Sequence, residues 1–83
     1  MEIIKFGKKG CGPCIRVEGH LEDSGVKFTS VDVEQNPEEA AKHDVFFTVP
    51  VTVLKDGDKE IMRTTGFNEG QLEEIIERYQ EVQ

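Results

Sequence analysis

The 83-residue chain lacks several features that would direct it to particular functions. It has no stretch near the ~20 consecutive apolar residues that a membrane-spanning helix needs, so we expect no membrane association. Its formal net charge is −7 and its cationic residues form no stripe, which argues against nucleic-acid binding because phosphate counterions would not be displaced. Its first residues lack the basic region and apolar core of a signal peptide, which predicts a cytoplasmic location.

A chain of this length has room for one hydrophobic core, so we predict a single domain over residues 1–83. Its charge is unevenly placed. The first sixteen residues carry a net charge of +3 and the remainder therefore −10, the positive segment containing Lys5, Lys8, Lys9 and Arg16 against Glu2. Local positive charge favours a thiolate and helps to steer a docking partner protein.

The only two cysteines are Cys11 and Cys14, which follow a strand-like apolar run and open a stretch with helical periodicity. At a helix N-terminus, unpaired N–H groups and the helix dipole favour thiolate over thiol. A thiol with a pKa of about 8.5 is only about 3% ionised at pH 7, whereas a pKa of about 7 makes it half ionised. We therefore interpret Cys11 as the attacking thiolate and Cys14, one turn further on and partly covered, as the resolving thiol. Pro13 is tolerated in a first helical turn, and Gly12 leaves the approach to sulfur open.

The pattern along the chain predicts the element order β-α-β-α-β-β-α and an α/β fold. The predicted strands cover Glu2 to Phe6, Val26 to Val33, Pro50 to Leu54 and Glu60 to Thr65, and the first two helices cover Cys11 to Ser24 and Pro37 to Asp44. Strands one and two should be parallel, and strands three and four should form an antiparallel hairpin around Asp56-Gly57. One mixed sheet with helices on both faces follows, with the cysteines beyond the carboxyl end of the first strand.

Local signals predict where the helices begin and which side they bury. Asn36 and Asn68 are expected to cap the second and third helices, Asn68 forming a capping box with Gln71. Gly25 is expected to end the first helix in a left-handed conformation. The inner face of the first helix should hold Cys14, Val17 and Leu21, with Glu18 among the residues facing water.

Four segments resemble the thioredoxin family and together span essentially the whole chain. They are the active site Cys11-Gly12-Pro13-Cys14, the second-strand exit Val31-Asp32-Val33-Glu34-Gln35-Asn36-Pro37, the cis-proline segment Thr48-Val49-Pro50, and Thr65-Gly66-Phe67 with Gln71-Leu72 at the last strand and helix. The resemblance implies a thioredoxin-like fold with a four-stranded mixed sheet flanked by three helices. At this length, the chain has the trimmed, glutaredoxin-sized form.

The resemblance also implies a function. It predicts a thiol–disulfide oxidoreductase that reduces protein disulfides through a Cys11–Cys14 dithiol–disulfide cycle, with no other cofactor and no metal. It implies a cis Val49-Pro50 bond, with the backbone of Val49 binding an extended substrate. A flavoprotein thioredoxin reductase or a similar donor would recharge the protein, which we expect to be a monomer.

Three positions depart from the family pattern. Gly10 stands where thioredoxins have tryptophan, so part of the docking surface is missing. Lys5 stands where the family has a buried acid; it either approaches the sulfurs or is solvated at a strand edge, and we favour the solvated interpretation. The segment Gly66-Phe67-Asn68 lacks the acid with which glutaredoxins hold glutathione, which argues against glutathione specificity.

Two other function classes compete with the redox function. A glutaredoxin-like metal or iron–sulfur protein needs more ligands, because two cysteines are half of a tetrahedral site. We interpret His20 and His43 as surface residues, which leaves a cluster shared between two chains. A non-catalytic adaptor would instead dock through exposed aromatic residues, although we expect core packing for two of the three candidates Phe46, Phe47 and Phe67.

Overall fold

The computed structural model describes residues 1–82 and contains the seven elements in the predicted order. They are β1 (Glu2–Gly7), α1 (Gly12–Asp23), β2 (Thr29–Asp32), α2 (Pro37–Lys42), β3 (Val51–Asp56), β4 (Lys59–Thr65) and α3 (Glu69–Glu81). Within these residues, no helix is long and apolar enough to cross a bilayer.

The four strands form one mixed sheet in the order β2-β1-β3-β4. The pairing of β1 with β2 is parallel because α1 carries the chain back between them. The pairing of β3 with both β1 and β4 is antiparallel. A tight turn joins β3 to β4, where Gly57 takes the left-handed φ of 62°. The predicted fold class is confirmed.

Strand alternation sends side chains to two separate cores. Ile3 and Leu54 face the layer of α1 and α3, where they pack with Val17, Leu21, Leu72 and Ile75. Ile4 and Phe6 face the opposite side, where they pack with Ala40 of α2 and with Val51 and Val53. Helices therefore cover both faces of the sheet, as predicted.

The predicted inner face of α1 is confirmed, since Cys14, Val17 and Leu21 are its buried residues. The helix ends as expected: Ser24 is its C-terminal cap, and Gly25 follows with a left-handed φ of 74°.

Three elements are shorter than predicted. Helix α1 covers Gly12–Asp23, since Cys11 and Ser24 are its cap residues. Strand β2 covers Thr29–Asp32 rather than Val26 to Val33, because the chain before Thr29 does not pair with Glu2 and Ile3, which pair with β3 alone. Val26 packs into the core beside α1 instead. Helix α2 ends at Lys42 rather than Asp44, because Asp44 adopts a φ of 58°, which no α-helix accommodates.

The caps agree with the prediction only in part. Asn68 accepts a hydrogen bond from the Gln71 N–H at 3.0 Å, but the Gln71 side chain bonds Thr64 instead of returning to Asn68, so only half of the capping box forms. Asn36 precedes α2 but makes no side-chain cap bond, so that part of the prediction is wrong. Its amide contacts the Asp32 carbonyl instead.

Candidate active site

The two cysteines lie at the N-terminus of α1 and are joined in a disulfide, with their Cα atoms 5.2 Å apart. Cys11 is the extended cap residue, and its Sγ accepts a hydrogen bond from the Cys14 N–H at 3.1 Å. Cys11 is half-buried, whereas Cys14 is only 2% exposed. Gly12 and Pro13 are exposed between them. One sulfur is therefore the more accessible and the other is covered.

This placement supplies the groups that stabilise a thiolate. A cap residue faces the unpaired N–H groups of the first helical turn and the positive end of the helix dipole. The Cys14 N–H that contacts Cys11 Sγ in the disulfide is the kind of donor that stabilises a thiolate at this position. The geometry therefore suits Cys11 to the nucleophilic role that the sequence predicts for it.

The segment Val49-Pro50 lies at the same edge of the sheet as the disulfide. Phe6, near the carboxyl end of β1, pairs with Val51, so the residue before Val51 lies beside the exit of β1. The Val49-Pro50 peptide bond is cis, as the resemblance predicts. The Gly66 N–H donates to the Pro50 carbonyl at 2.8 Å. A role for Val49 in binding substrate stays a prediction.

Lys5 is not solvated, and the interpretation that we favoured from the sequence is wrong. Its residue is 7% exposed, and its Nζ lies 3.1 Å from Oε1 of Glu18. The Ser30 hydroxyl donates to the same oxygen at 3.2 Å. The hydrogen bond and charge of Lys5 hold the pKa of Glu18 below its usual value, against the opposing effect of burial.

Two sequence signals point to this pair. Lys5 has the same parity in β1 as Ile3 and so shares the α1 face. Glu18 follows Cys14 by four residues and so lies on the same side of α1. Glu18 was expected to face water, and instead it turns toward the sheet with its side chain 40% exposed.

The aromatic residues near the site are exposed rather than packed in the core. Phe46, Phe47 and Phe67 are 62%, 98% and 37% exposed, so the expectation that two of them are core residues is wrong. Phe46 and Phe47 lie between α2 and β3 in a segment without regular structure, where no periodicity assigns a side chain to the core. Ile15, next to Cys14, is also 68% exposed.

The histidines are more covered than predicted. The side chain of His43 is 9% exposed and packs against the Phe6 ring, the ring centroids being 5.1 Å apart. Its Nε2 accepts from Lys55 at 3.0 Å and its Nδ1 donates to the Glu39 carbonyl at 3.0 Å, so both nitrogens are occupied. His20 lies 2.9 Å from Glu73 with 19% of its side chain exposed. Across residues 1–82, no three His, Cys, Asp or Glu residues are grouped so that they could hold a metal ion.

Comparison with known proteins gives consistent matches. Residues 3–58 match the protein-family model described as Glutaredoxin. The SPbeta prophage-derived thioredoxin-like protein YosR of Bacillus subtilis is 40% identical over 77 residues, which cover 92% of this chain and 95% of that protein.

Two solved structures extend the likeness to three dimensions. The thioredoxin of Fasciola hepatica superposes with a TM-score of 0.76 at 37% identity, over 92% of this chain and 77% of the other. Thioredoxin 1 from Thermosipho africanus superposes with a TM-score of 0.75 at 29% identity, over 99% of this chain and 97% of the other. The family match, the relatives and the paired cysteines agree, and the chain therefore belongs to the thioredoxin superfamily as a small redoxin of the glutaredoxin family, with the fold and the Cys-x-x-Cys centre of a thiol–disulfide oxidoreductase.

Proposed function

We propose that this protein reduces disulfides in other proteins through a Cys11–Cys14 dithiol–disulfide cycle. The observation that carries the proposal is the asymmetry of the pair. Cys11 caps α1 with a backbone N–H directed at its sulfur, while Cys14 is buried one turn further on. An accessible thiolate and a covered second thiol are what a two-step exchange requires.

The cycle moves two electrons to the substrate. The Cys11 thiolate attacks one sulfur of the substrate disulfide, the substrate S–S bond breaks, and the other substrate sulfur leaves with the bonding pair as a thiolate. Cys14, as thiolate, then attacks Cys11 Sγ and displaces the second substrate thiolate. The Cys11–Cys14 disulfide seen in the structure is the oxidised product. No cofactor besides this disulfide takes part in the proposed reaction.

An extended segment of the substrate protein would lie against the backbone of Val49, beside cis Pro50. The position of this segment at the carboxyl end of β1 supports the proposal, because it borders the same edge as the disulfide. Exposed Phe46 and Phe47 precede the segment and offer apolar surface for docking. The protein would act as a monomer in the cytoplasm, whose reducing poise keeps dithiols reduced.

The first test is the reduction of insulin disulfides with dithiothreitol as the electron source. We expect the wild-type protein to accelerate insulin reduction and Cys11→Ser to abolish the acceleration, because the nucleophile is lost. Equal rates for the two proteins would contradict the catalytic role and favour an adaptor.

A second test separates the roles of the two cysteines. In Cys14→Ser the mixed disulfide has no resolving thiol, so mass spectrometry should find substrate covalently bound through Cys11. The matched Cys11→Ser variant should trap far less, because its remaining thiol is covered. Trapping through Cys14 instead would reverse the assignment.

The source of electrons is tested with the oxidised protein. We expect turnover with NADPH and a flavoprotein thioredoxin reductase but not with glutathione and its reductase, since Gly66-Phe67-Asn68 offers no acid to hold glutathione. Turnover in the glutathione system alone would place the protein in the glutaredoxin pathway instead.

A further inference from the structure

A charged cluster lies beneath the buried sulfur. Lys5, in the middle of β1, directs its Nζ to Oε1 of Glu18 on α1, and Ser30 of β2 donates to that same oxygen. A buried ammonium is costly unless it is paired, and Glu18 is the carboxylate that pairs with Lys5.

The ammonium and the Cys14 sulfur border one small space. A Cβ atom added to Gly7 would lie 3.2 Å from Cys14 Sγ and 3.4 Å from Lys5 Nζ. The ammonium and the sulfur therefore both border the space that a side chain at position 7 would fill. A cleft of about 310 Å³ opens from this point to solvent, lined in part by Lys5, Cys14, Glu18 and Ser30. The distances of 3.2 Å and 3.4 Å keep Cys14 Sγ and Lys5 Nζ within about 6.6 Å of each other, close enough for the cation to favour a thiolate over a thiol.

Another buried polar group, the hydroxyl of Thr52, lies on the same face of the sheet as Lys5, and within the described part of the chain it lacks a partner such as Lys5 has in Glu18. Thr52 of β3 lies directly opposite Lys5 in the sheet and is fully buried. Among residues 1–82, its Oγ1 has no hydrogen-bond partner, which is unusual for a buried hydroxyl. The face of the sheet beside the disulfide thus holds both a cation and a free hydroxyl.

We propose that Lys5 is a positioning residue for the resolving step, whose ammonium stabilises the thiolate of Cys14 while Glu18 holds the ammonium in place and partly offsets its charge. This inference rests on the proposed dithiol–disulfide cycle. It assigns to Lys5 and Glu18 the control of how readily Cys14 ionises.

The chemistry differs in the two directions of the cycle. During resolution, the Cys14 thiol releases its proton to water in the cleft, and the thiolate attacks Cys11 Sγ as the substrate thiolate departs. During recharging, a dithiol donor attacks Cys11 Sγ, the Cys11–Cys14 bond breaks, and Cys14 leaves with the bonding pair. A sulfur with a lower pKa is the better leaving group, so Lys5 assists this step as well.

Glu18 is poorly suited to act as the base that takes the proton from Cys14. Lys5 holds the pKa of Glu18 below its usual value, which makes the carboxylate a weaker base. The other charged groups at the cleft are Lys8, Lys9 and Asp32. Asp32 is engaged with the backbone N–H groups of Glu34 and Gln35. The direct neighbours of Lys5 in the sheet, Ser30 and Thr52, carry no charge.

The test is a pH titration of the Cys14 ¹³Cβ chemical shift in the reduced protein. In Lys5→Met, which keeps an unbranched side chain one atom shorter but removes the charge, the pKa of Cys14 should rise by about 1 pH unit or more. In Glu18→Gln the amide oxygen can still accept a hydrogen bond from Lys5, so the ammonium stays in place but is no longer offset, and the pKa of Cys14 should fall. Ser30→Ala is the matched control: it removes a hydrogen bond to the same oxygen without changing any charge, and should leave that pKa within about 0.3 pH units of the wild type.

Opposite shifts in the first two variants support the proposal. An unchanged pKa of Cys14 in Lys5→Met overturns it, and so does a rise in Glu18→Gln, which would mean that Glu18 does not offset the ammonium. If Lys5→Met does not fold, Lys5→Gln, which also removes the charge but keeps a polar side chain beside Glu18, decides by the same rise. The insulin assay on the wild-type protein keeps the two proposals apart: a failure there sinks the reduction cycle, whereas an active wild type with an unmoved Cys14 titration sinks only the role of Lys5.

Discussion

At the scale of single residues, Gly7 determines how closely the strand approaches the disulfide. A Cβ at this position would lie 3.2 Å from both Cβ and Sγ of Cys14, closer than ordinary van der Waals contact. We expect Gly7→Ala to lower the free energy of unfolding by about 1–3 kcal/mol through overpacking. Urea denaturation of the oxidised protein measures the change.

Gly19→Ala is the matched control for this prediction. Gly19 lies in α1, and a Cβ there would have no neighbour within 4 Å. Replacing a helical glycine by alanine should raise the free energy of unfolding by about 0.5–1 kcal/mol. Destabilisation of the same size at both positions would show that the close contact of residue 7 with Cys14 does not cause the loss of stability.

The ion pair between Lys5 and Glu18 should make stability depend on pH. The folded protein holds the pKa of Glu18 below its usual 4.5, so the unfolded chain binds this proton more readily. The stabilisation is therefore complete above pH 4.5 and is lost as the pH falls through the folded-state pKa. With the Glu18 side chain 40% exposed, solvent screening limits the pair to about 0.5 kcal/mol.

Comparison of the wild type with Glu18→Gln isolates this contribution, since every other carboxyl group is common to both proteins. The difference in unfolding free energy between them should be present at pH 7 and should shrink below pH 4. A difference that stays constant across this range would mean that the charge of Glu18 does not stabilise the fold.

Residue-scale errors in the sequence interpretation have physical causes. The burial of Cys14 was predictable because Cys14, Val17 and Leu21 recur at helical spacing. Lys5 was misjudged because its charge suggested solvent, although its strand parity with Ile3 places it on the covered face. The burial of a lysine depends on a partner, and Glu18 becomes that partner only when α1 packs on the sheet.

At the scale of elements, the two asparagines that precede helices give a direct comparison. Asn68 caps α3 with a hydrogen bond to the Gln71 N–H, whereas Asn36 makes no cap bond to α2. We expect Asn68→Ala to lower the free energy of unfolding by about 1 kcal/mol and Asn36→Ala to change it by only a few tenths. Thermal or urea unfolding of the two variants measures both values. Equal losses would contradict the difference in capping.

Element order was predictable, but element length was less so. The start of α3 and the β3–β4 hairpin depend on the local residues Asn68 and Gly57, which cap and turn the chain as expected, whereas Asn36 makes no cap bond to α2. The length of β2 depends instead on where the chain before Thr29 separates from β1, which is a property of the assembled sheet. The exposed Phe46 and Phe47 lie in an irregular connection, where only the folded chain decides what is covered.

At the scale of the whole molecule, the protein is acidic but carries lysines beside the disulfide. The net charge is −7, while Lys8 and Lys9 line the cleft beside the disulfide. The molecule measures 32 × 27 × 17 Å. The Debye length is about 30 Å at 0.01 M salt and about 8 Å at 0.15 M. An approaching substrate therefore meets the field of the whole acidic protein at low salt, but mainly the local lysines at physiological salt.

This difference predicts a change of substrate preference with ionic strength. For two disulfide peptides that differ only in flanking charge, the ratio of acidic-peptide to basic-peptide reduction rates should rise between 0.01 M and 0.15 M salt, because screening removes the long-range repulsion of the acidic peptide first. Stopped-flow measurement with the reduced protein gives both rates. A double variant with Lys8→Gln and Lys9→Gln should still reduce the basic peptide faster at 0.01 M salt. At 0.15 M salt it should reduce both peptides at similar rates, whereas the wild type should then reduce the acidic peptide faster. A wild-type ratio that falls as salt is added would show that the local lysines do not govern the encounter.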